Sequence, residues 1–293
     1  MMGAVPRVVL ALVTLAVPGW VVATRGSTVW AGHPAYLVLL VVLVVTGAVL
    51  LVPARRPRTG GWRRAGRVGA AIVLVGVLAA TAWLRPFPAT APATASGDRV
   101  EVVDTATAWE LRPTTAPRGT GLVFLPGARV DPRSYLRLLR PLAEAGTLVV
   151  LVKPPLDLGL LASPPAVMDG HPEVARWVLG GHSLGGAAAT FSADDPRVVG
   201  LALWAAYPSD DLSGSDLAVL SVSGDRDGLA TPADVDAARP LLPPDTRYVV
   251  VAGGTHAFFG DYGDQPGDGE PGVPREVAQR QIVLATAAFL FGL

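Results

Sequence analysis

The sequence predicts an α/β domain, a mostly parallel sheet flanked by helices with no large lid, preceded by about three transmembrane helices. Three observations predict it. The first third is apolar and contains no acidic residue. The remainder alternates short apolar strands with helical stretches. The chain's Gly-rich turns fall at the ends of those strands. In 293 residues, 51% are hydrophobic and only 16% charged, with a mean hydropathy of +0.43. That is too apolar for an ordinary soluble enzyme and far too apolar for a disordered chain. With no Cys, disulfide scaffolds, thiolate metal sites and cysteine nucleophiles are excluded.

The formal net charge of zero hides a split. Residues 1–97 hold nine Arg and no Asp or Glu, whereas 98–293 hold fifteen Lys and Arg against 24 Asp and Glu. Two environments follow from such an asymmetry. The Arg residues sit between apolar runs, without the aromatic interleaving of a nucleic-acid surface, so no nucleic-acid partner is expected.

Uncharged apolar runs occupy 8–23, 35–52 and 68–84, with 16, 18 and 17 residues. A spanning helix needs about 20 apolar residues, within a range of about 17–25. The first run is the shortest and contains Pro18-Gly19; it also fits a signal peptide whose basic start holds Arg7. The loop 53–67 carries Arg55, Arg56, Arg58, Arg63, Arg64 and Arg67, and the loop 24–34 only Arg25. Arg-rich loops stay on the cytoplasmic side, which places everything after Leu84 outside. The expected division is therefore a transmembrane region at 1–84, a Pro/Ala/Thr-rich solvated spacer at 85–97, and a catalytic domain at 98–293 on the extracytoplasmic side.

Within 98–293, strands are expected at 100–103, 107–111, 121–125, 147–152, 176–179, 198–205, 217–222 and 247–251. Helices are expected at 132–145, 184–191, 232–239 and 276–291. Continuous apolar strands alternating with helices indicate a parallel sheet covered on both faces, and ligands of such sheets sit at the carboxyl ends of the strands.

Three of those ends carry candidate chemistry. Gly181-His182-Ser183-Leu184-Gly185 reads G-x-S-x-G between an apolar strand and an Ala-rich helix. Gly181 and Gly185 permit a sharp turn that lifts the Ser183 hydroxyl above the sheet. A serine hydroxyl needs a base to become nucleophilic. Of the four His, His33 lies in a membrane loop and His171 precedes the Ser strand at its amino end. His182 adjoins the serine but should leave the turn in another direction. His256, after strand 247–251, is the expected base. Asp227, past the tip of the turn after 217–222, is favoured as its orienting carboxylate; Asp225 is the competitor, and Asp210 and Asp211 are more distant alternatives. For a developing oxyanion, the backbone N–H groups of Leu184 and of Ala128, in the loop after 121–125, are the expected donors.

At this point the sequence resembles a known family. LPGA (125–128), GGHSLGG (180–186), SGDRDGLATP (223–232) and GGTHAFFGDYGDQPGDG (253–269) are similar to compact α/β-hydrolases of the dienelactone-hydrolase-like group. The order Ser183, Asp227, His256 is also that of α/β-hydrolases. The resemblance covers 98–293 only. It implies an α/β-hydrolase fold, with Ser183 as nucleophile, Asp227 as acid and His256 as base. Dienelactone hydrolases proper use a Cys nucleophile, which this chain lacks, so their substrate does not carry over. Acyl transfer from a small or medium ester follows as the expectation, with no metal or organic cofactor. Phe258, Phe259 and Tyr262 are candidate pocket residues, and Lys153, the one Lys, a candidate contact for an anionic substrate. The segment between Tyr207 and Asp216 is too short for a lid. The expected partners are a small-molecule or envelope-lipid ester and the bilayer itself. An envelope acyltransferase using the same three residues, and a tethered binding module on an inactive fold, are the competing readings.

Overall fold

A computed structural model describes residues 4–53, 61–115 and 119–293; at 4, 61, 63 and 64 only the backbone is considered. Arg55, Arg56 and Arg58 thus lie outside the described residues, as do the side chains of Arg63 and Arg64. The chain forms two compact units, divided between Pro86 and Phe87.

The first unit holds α1 (Ala4–Ala31), α2 (Pro34–Leu51) and α3 (Gly61–Trp83). Each contains a segment long and apolar enough to cross a membrane: Val5–Ala31, Pro34–Leu51 and Ala65–Trp83. The first segment is longer than the uncharged run in the sequence suggests, because α1 continues through Pro18 and on past Arg25, where the backbone turns non-helical. His33 caps α2, its Nδ1 accepting from the Ala35 N–H at 3.1 Å, with Pro34 as first helical residue. At Gly47 an added Cβ would lie 2.7 Å from Leu15, so a small residue brings α2 close to α1. Aliphatic side chains such as Leu12, Val41, Val45, Ile72 and Val73 are exposed.

The second unit is built on one eight-stranded sheet. In chain order its elements are β1 (Val100–Asp104), β2 (Ala108–Pro113), β3 (Thr120–Leu125), α4 (Leu136–Glu144), β4 (Val149–Val152), α5 (Pro164–Asp169), β5 (Arg176–His182), α6 (Leu184–Thr190), β6 (Val198–Trp204), β7 (Ala218–Gly224), α7 (Pro232–Ala237), β8 (Arg247–Val251) and α8 (Arg275–Phe291). The strand order is β1-β2-β4-β3-β5-β6-β7-β8. The β1/β2 and β2/β4 pairs are antiparallel and all others parallel. The central strands are buried along almost their whole length, which is why they read as unbroken apolar runs. On α4, Leu138, Leu139 and Leu142 turn to the core, and on α8 Ile282, Ala285, Phe289 and Leu290 do the same.

Register fixes where the chemistry falls. Leu125 pairs with Gly181, His182 with Trp204, and Gly224 with Val251. The chain therefore leaves β3, β5, β7 and β8 along one edge of the sheet. β5 runs on to His182, three residues beyond the expected strand, because Gly180 and Gly181 pair in the ladder rather than opening the turn.

The expectation of a solvated spacer at 85–97 needs correction for its first part. Phe87 exchanges backbone hydrogen bonds with Arg129 and Asp131, at 2.6 and 3.0 Å, and the Thr90 N–H donates to the Asp261 carbonyl at 2.8 Å.

Candidate active site

Ser183 is the first residue beyond β5. Its backbone sits at φ 54°, ψ −128°, a region costly for any residue with a Cβ. Close packing enforces it. A Cβ at Gly181 would lie 2.5 Å from the Gly185 carbonyl carbon, and one at Gly185 would lie 2.3 Å from the carbonyl oxygens of Leu125 and Pro126. The Ser183 N–H donates to the Trp204 carbonyl at 2.9 Å, locking the turn to β6. The side chain is left half-buried, at the floor of a cavity of about 450 Å³.

His256 shares that cavity. It opens a short 3₁₀ turn, His256–Phe259, after β8, and is 1% exposed. Its Nδ1 lies 2.8 Å from Oδ2 of Asp227, which is 4% exposed. The other carboxylate oxygen, Oδ1, accepts from the N–H groups of Leu229 and Ala230, both at 2.8 Å. The Asp227 carboxylate is thus aimed at His256 by its own loop. Asp225 does a different job, its Oδ1 accepting from the Gly253 N–H at 2.7 Å to hold the start of the His loop.

A further carboxylate joins these loops. Asp268 accepts from the N–H groups of His256 (3.0 Å) and Gly228 (3.2 Å) through Oδ1, and from that of Ala257 (2.8 Å) through Oδ2. It ties the loop bearing His256 to the loop bearing Asp227. Beyond it, Asp261 is bound by Arg137 and Gln279, and Arg275 donates to the carbonyls of Ala257, Gly260 and Gly263. The sequence expectation missed Asp268, although its position in GDQPGDG, just after the His, was a usable signal.

The structure places His182 closer to the site than expected. The side chain is fully buried, with its ring centroid 4.5 Å from that of His256 and stacked on Phe259. The Tyr135 hydroxyl accepts from the Gly127 N–H at 3.0 Å and meets His182 Nδ1 at 2.9 Å. Burial drives the Tyr135 phenol upward in pKa, so the hydroxyl stays protonated beside His182 Nδ1. Burial, and then the neighbouring His256, hold His182 well below the usual imidazole range. It is a neutral spacer behind His256 and a poor base.

Residues 121–280 match a family model described as alpha/beta hydrolase family. The chain belongs to that family. Among solved structures, this hydrolase is similar to a thermophilic esterase from the planctomycete Thermogutta terrifontis, with 13% identity, a TM-score of 0.49, and coverage of 67% of this chain and 92% of that one. It is also similar to TT1662 from Thermus thermophilus (17% identity, TM-score 0.48, 66% and 98% covered) and to an alpha-beta serine hydrolase homologue from Coxiella burnetii (16%, 0.43, 56% and 91%). No curated protein matches the hydrolase sequence.

Leu184, whose N–H was the expected donor at the start of α6, lines the cavity of the hydrolase. Ala128 is half-buried on the loop beyond β3 and does not line it. Four pocket expectations fail, Tyr262 among them, since it is buried and does not line the cavity. Phe259 is fully buried against His182 and Trp204, and Phe258 is buried beneath the Arg275 guanidinium. Lys153 is 3% exposed, paired with Asp104, bonded to the Thr105 carbonyl and set over the Trp109 ring. A loop aromatic close to a catalytic-type residue can point inward as readily as outward, and here the core claims both rings. The cavity wall comes instead from Ala187, from Ala205 to Tyr207 and Ser209 after β6, from Leu229 and Ala230 after β7, and from Gln265. A larger hollow of about 670 Å³ lies at the amino ends of β7 and β8, and no histidine lines it. Among the described residues no cluster of His, Asp or Glu is placed to hold a metal ion.

Proposed function

We propose that the chain is a membrane-anchored serine hydrolase, an esterase for small or medium acyl esters, whose catalytic unit stands on the extracytoplasmic side. One observation carries the catalytic part: a buried Asp227–His256 pair opens on the cavity whose floor is Ser183 in a strained strand-to-helix turn. With Nδ1 committed to Asp227, Nε2 of His256 is the nitrogen available to Ser183. His256 takes the hydroxyl proton as Oγ attacks the ester carbonyl. Asp227 keeps the ring in that tautomer and balances the imidazolium charge. The Leu184 N–H, at the cavity wall, stabilises the oxyanion. The alcohol departs with the proton from His256, and water then releases the acid by the same steps. The three apolar helices support the anchor, and the Arg-rich loop between the second and third supports the orientation.

Fluorophosphonate labelling of the full chain in detergent, read by intact mass, tests the catalytic reading. One adduct on the native protein and none on Ser183→Ala is expected; no adduct on folded native protein would refute it. Because the chain has no Cys, Ser213→Cys provides a unique thiol for the orientation. It should react with a membrane-impermeant maleimide added outside intact cells.

A further inference from the structure

The cavity above Ser183 mixes polar and apolar walls. No Asp, Glu, Lys or Arg lines it, and most of its wall is Ala and Leu. Against that wall stands one amide. Gln265 lines the cavity together with Ser183 and His256, and the Tyr262 hydroxyl donates to its Oε1 at 2.9 Å. Tyr262 is buried, and burial pushes its phenol far up in pKa, so it remains a donor. The Gln265 carbonyl is therefore occupied from behind, which turns the Nε2 amide into the group presented outward. Among the described residues nothing accepts from that Nε2.

We infer that Gln265 is a specificity residue: its amide donates to an oxygen on the substrate, selecting uncharged esters that carry a hydroxyl, alkoxy or carbonyl oxygen in addition to the scissile group. The inference rests on the serine-hydrolase reading. A charged substrate finds no counter-ion in this cavity, and a purely hydrocarbon one forgoes the bond that the amide offers.

The test uses the full chain in detergent and two matched pairs of esters in which one methylene becomes an oxygen. One is p-nitrophenyl butyrate against p-nitrophenyl methoxyacetate, for the acyl half; the other is butyl acetate against 2-methoxyethyl acetate, for the alcohol half. Intrinsic reactivity cancels when the ratio of kcat/KM within a pair is compared between native protein and variant. Gln265→Met keeps the chain length and removes the donor. It should lower the oxygen-to-methylene ratio about fivefold in at least one pair, the effect of one hydrogen bond. Tyr262→Phe frees the Gln265 carbonyl to rotate and should lower the same ratio by less. Ratios unchanged within twofold in both pairs overturn the role of Gln265. Loss of the Ser183 fluorophosphonate adduct in the native protein would overturn the hydrolase reading instead, so the two failures are told apart.

Discussion

Replacing Asp268 by Ala removes a side chain that braces the His256 loop and ties it to the Asp227 loop. Three hydrogen bonds disappear, one across to the Gly228 N–H and two within the His loop, to the N–H groups of His256 and Ala257. Bonds to an ionised acceptor contribute about 1.5–3 kcal/mol each when shielded. Asp268 is half-buried, so water replaces part of the loss and the net cost falls to about 2–4 kcal/mol. For a unit of this size that corresponds to a Tm lower by about 5–12 °C. The larger consequence is positional. Asp227 and His256 stay in contact only if both loops keep register, and a displacement of about 1 Å at a catalytic base costs up to about 100-fold. Ester hydrolysis by Asp268→Ala should show kcat reduced about 10–100-fold with KM nearly unchanged, because Asp268 does not line the cavity. Asp268→Asn should fall between, since it keeps one acceptor but turns an NH₂ group toward the backbone N–H groups of the His loop. A kcat for Asp268→Ala within twofold of the native value, at a temperature where both are folded, would refute the clamp.

Three other outcomes are expected. Ser183→Ala should lose about 10⁴–10⁶ in kcat at unchanged Tm, whereas Ser183→Gly, freed of the positive-φ strain, should melt about 2–5 °C above Ser183→Ala in a thermal-shift assay. Asp157, buried and near Asp131, has its carboxyl pushed up to about 8. The native state then keeps a proton that the unfolded chain has already released, so stability falls as pH rises from about 4 to 8. Asp157→Asn, tolerated at a residue already at φ 55°, should raise Tm by several degrees at pH 8 and hardly at pH 4, as thermal melts across that range would show. His182 has the opposite sign: below about pH 6.5 the unfolded chain takes up a proton that the buried ring refuses, costing up to about 1.4 kcal/mol per pH unit. Melts of His182→Asn between pH 7 and 5 should be flatter than those of the native protein; parallel slopes would contradict the assignment.

Much of this molecule was legible from local pattern. Gly181 announces its turn because a Cβ there meets the Gly185 backbone four residues on, a constraint written into the neighbouring letters, whereas Gly185 is held small by Leu125 and Pro126 from a distant strand end. That Asp227 and His256 would come near each other follows from strands that leave a parallel sheet on the same edge. Other features depend on which way a side chain turns, and there the letters are silent. Phe258 and Phe259 sit beside His256 in sequence, yet their rings fill the core, while Tyr207 and Leu229, from two other strand ends, face the cavity. Lys153 offered a lone charge at the active edge, and the cost of burying it was met by Asp104, some fifty residues earlier. The length of α1 was underread because the uncharged run ends ahead of Arg25, whereas the helix continues past that charge to Ala31.

The tight seam between Gly185 and the carbonyls of Leu125 and Pro126 has a consequence for redesign. The serine is positioned by main chain resting on main chain, with no side chain as intermediary. Of the small residues in the cavity wall, Ala205, Ala206 and Ala230 are buried, and Ala206 packs on Gly186 of the same turn. Ala187 is half-buried and takes no part in the seam, so it is the position to enlarge or make polar, reshaping what the cavity admits while the Ser183 hydroxyl stays where the backbone has set it.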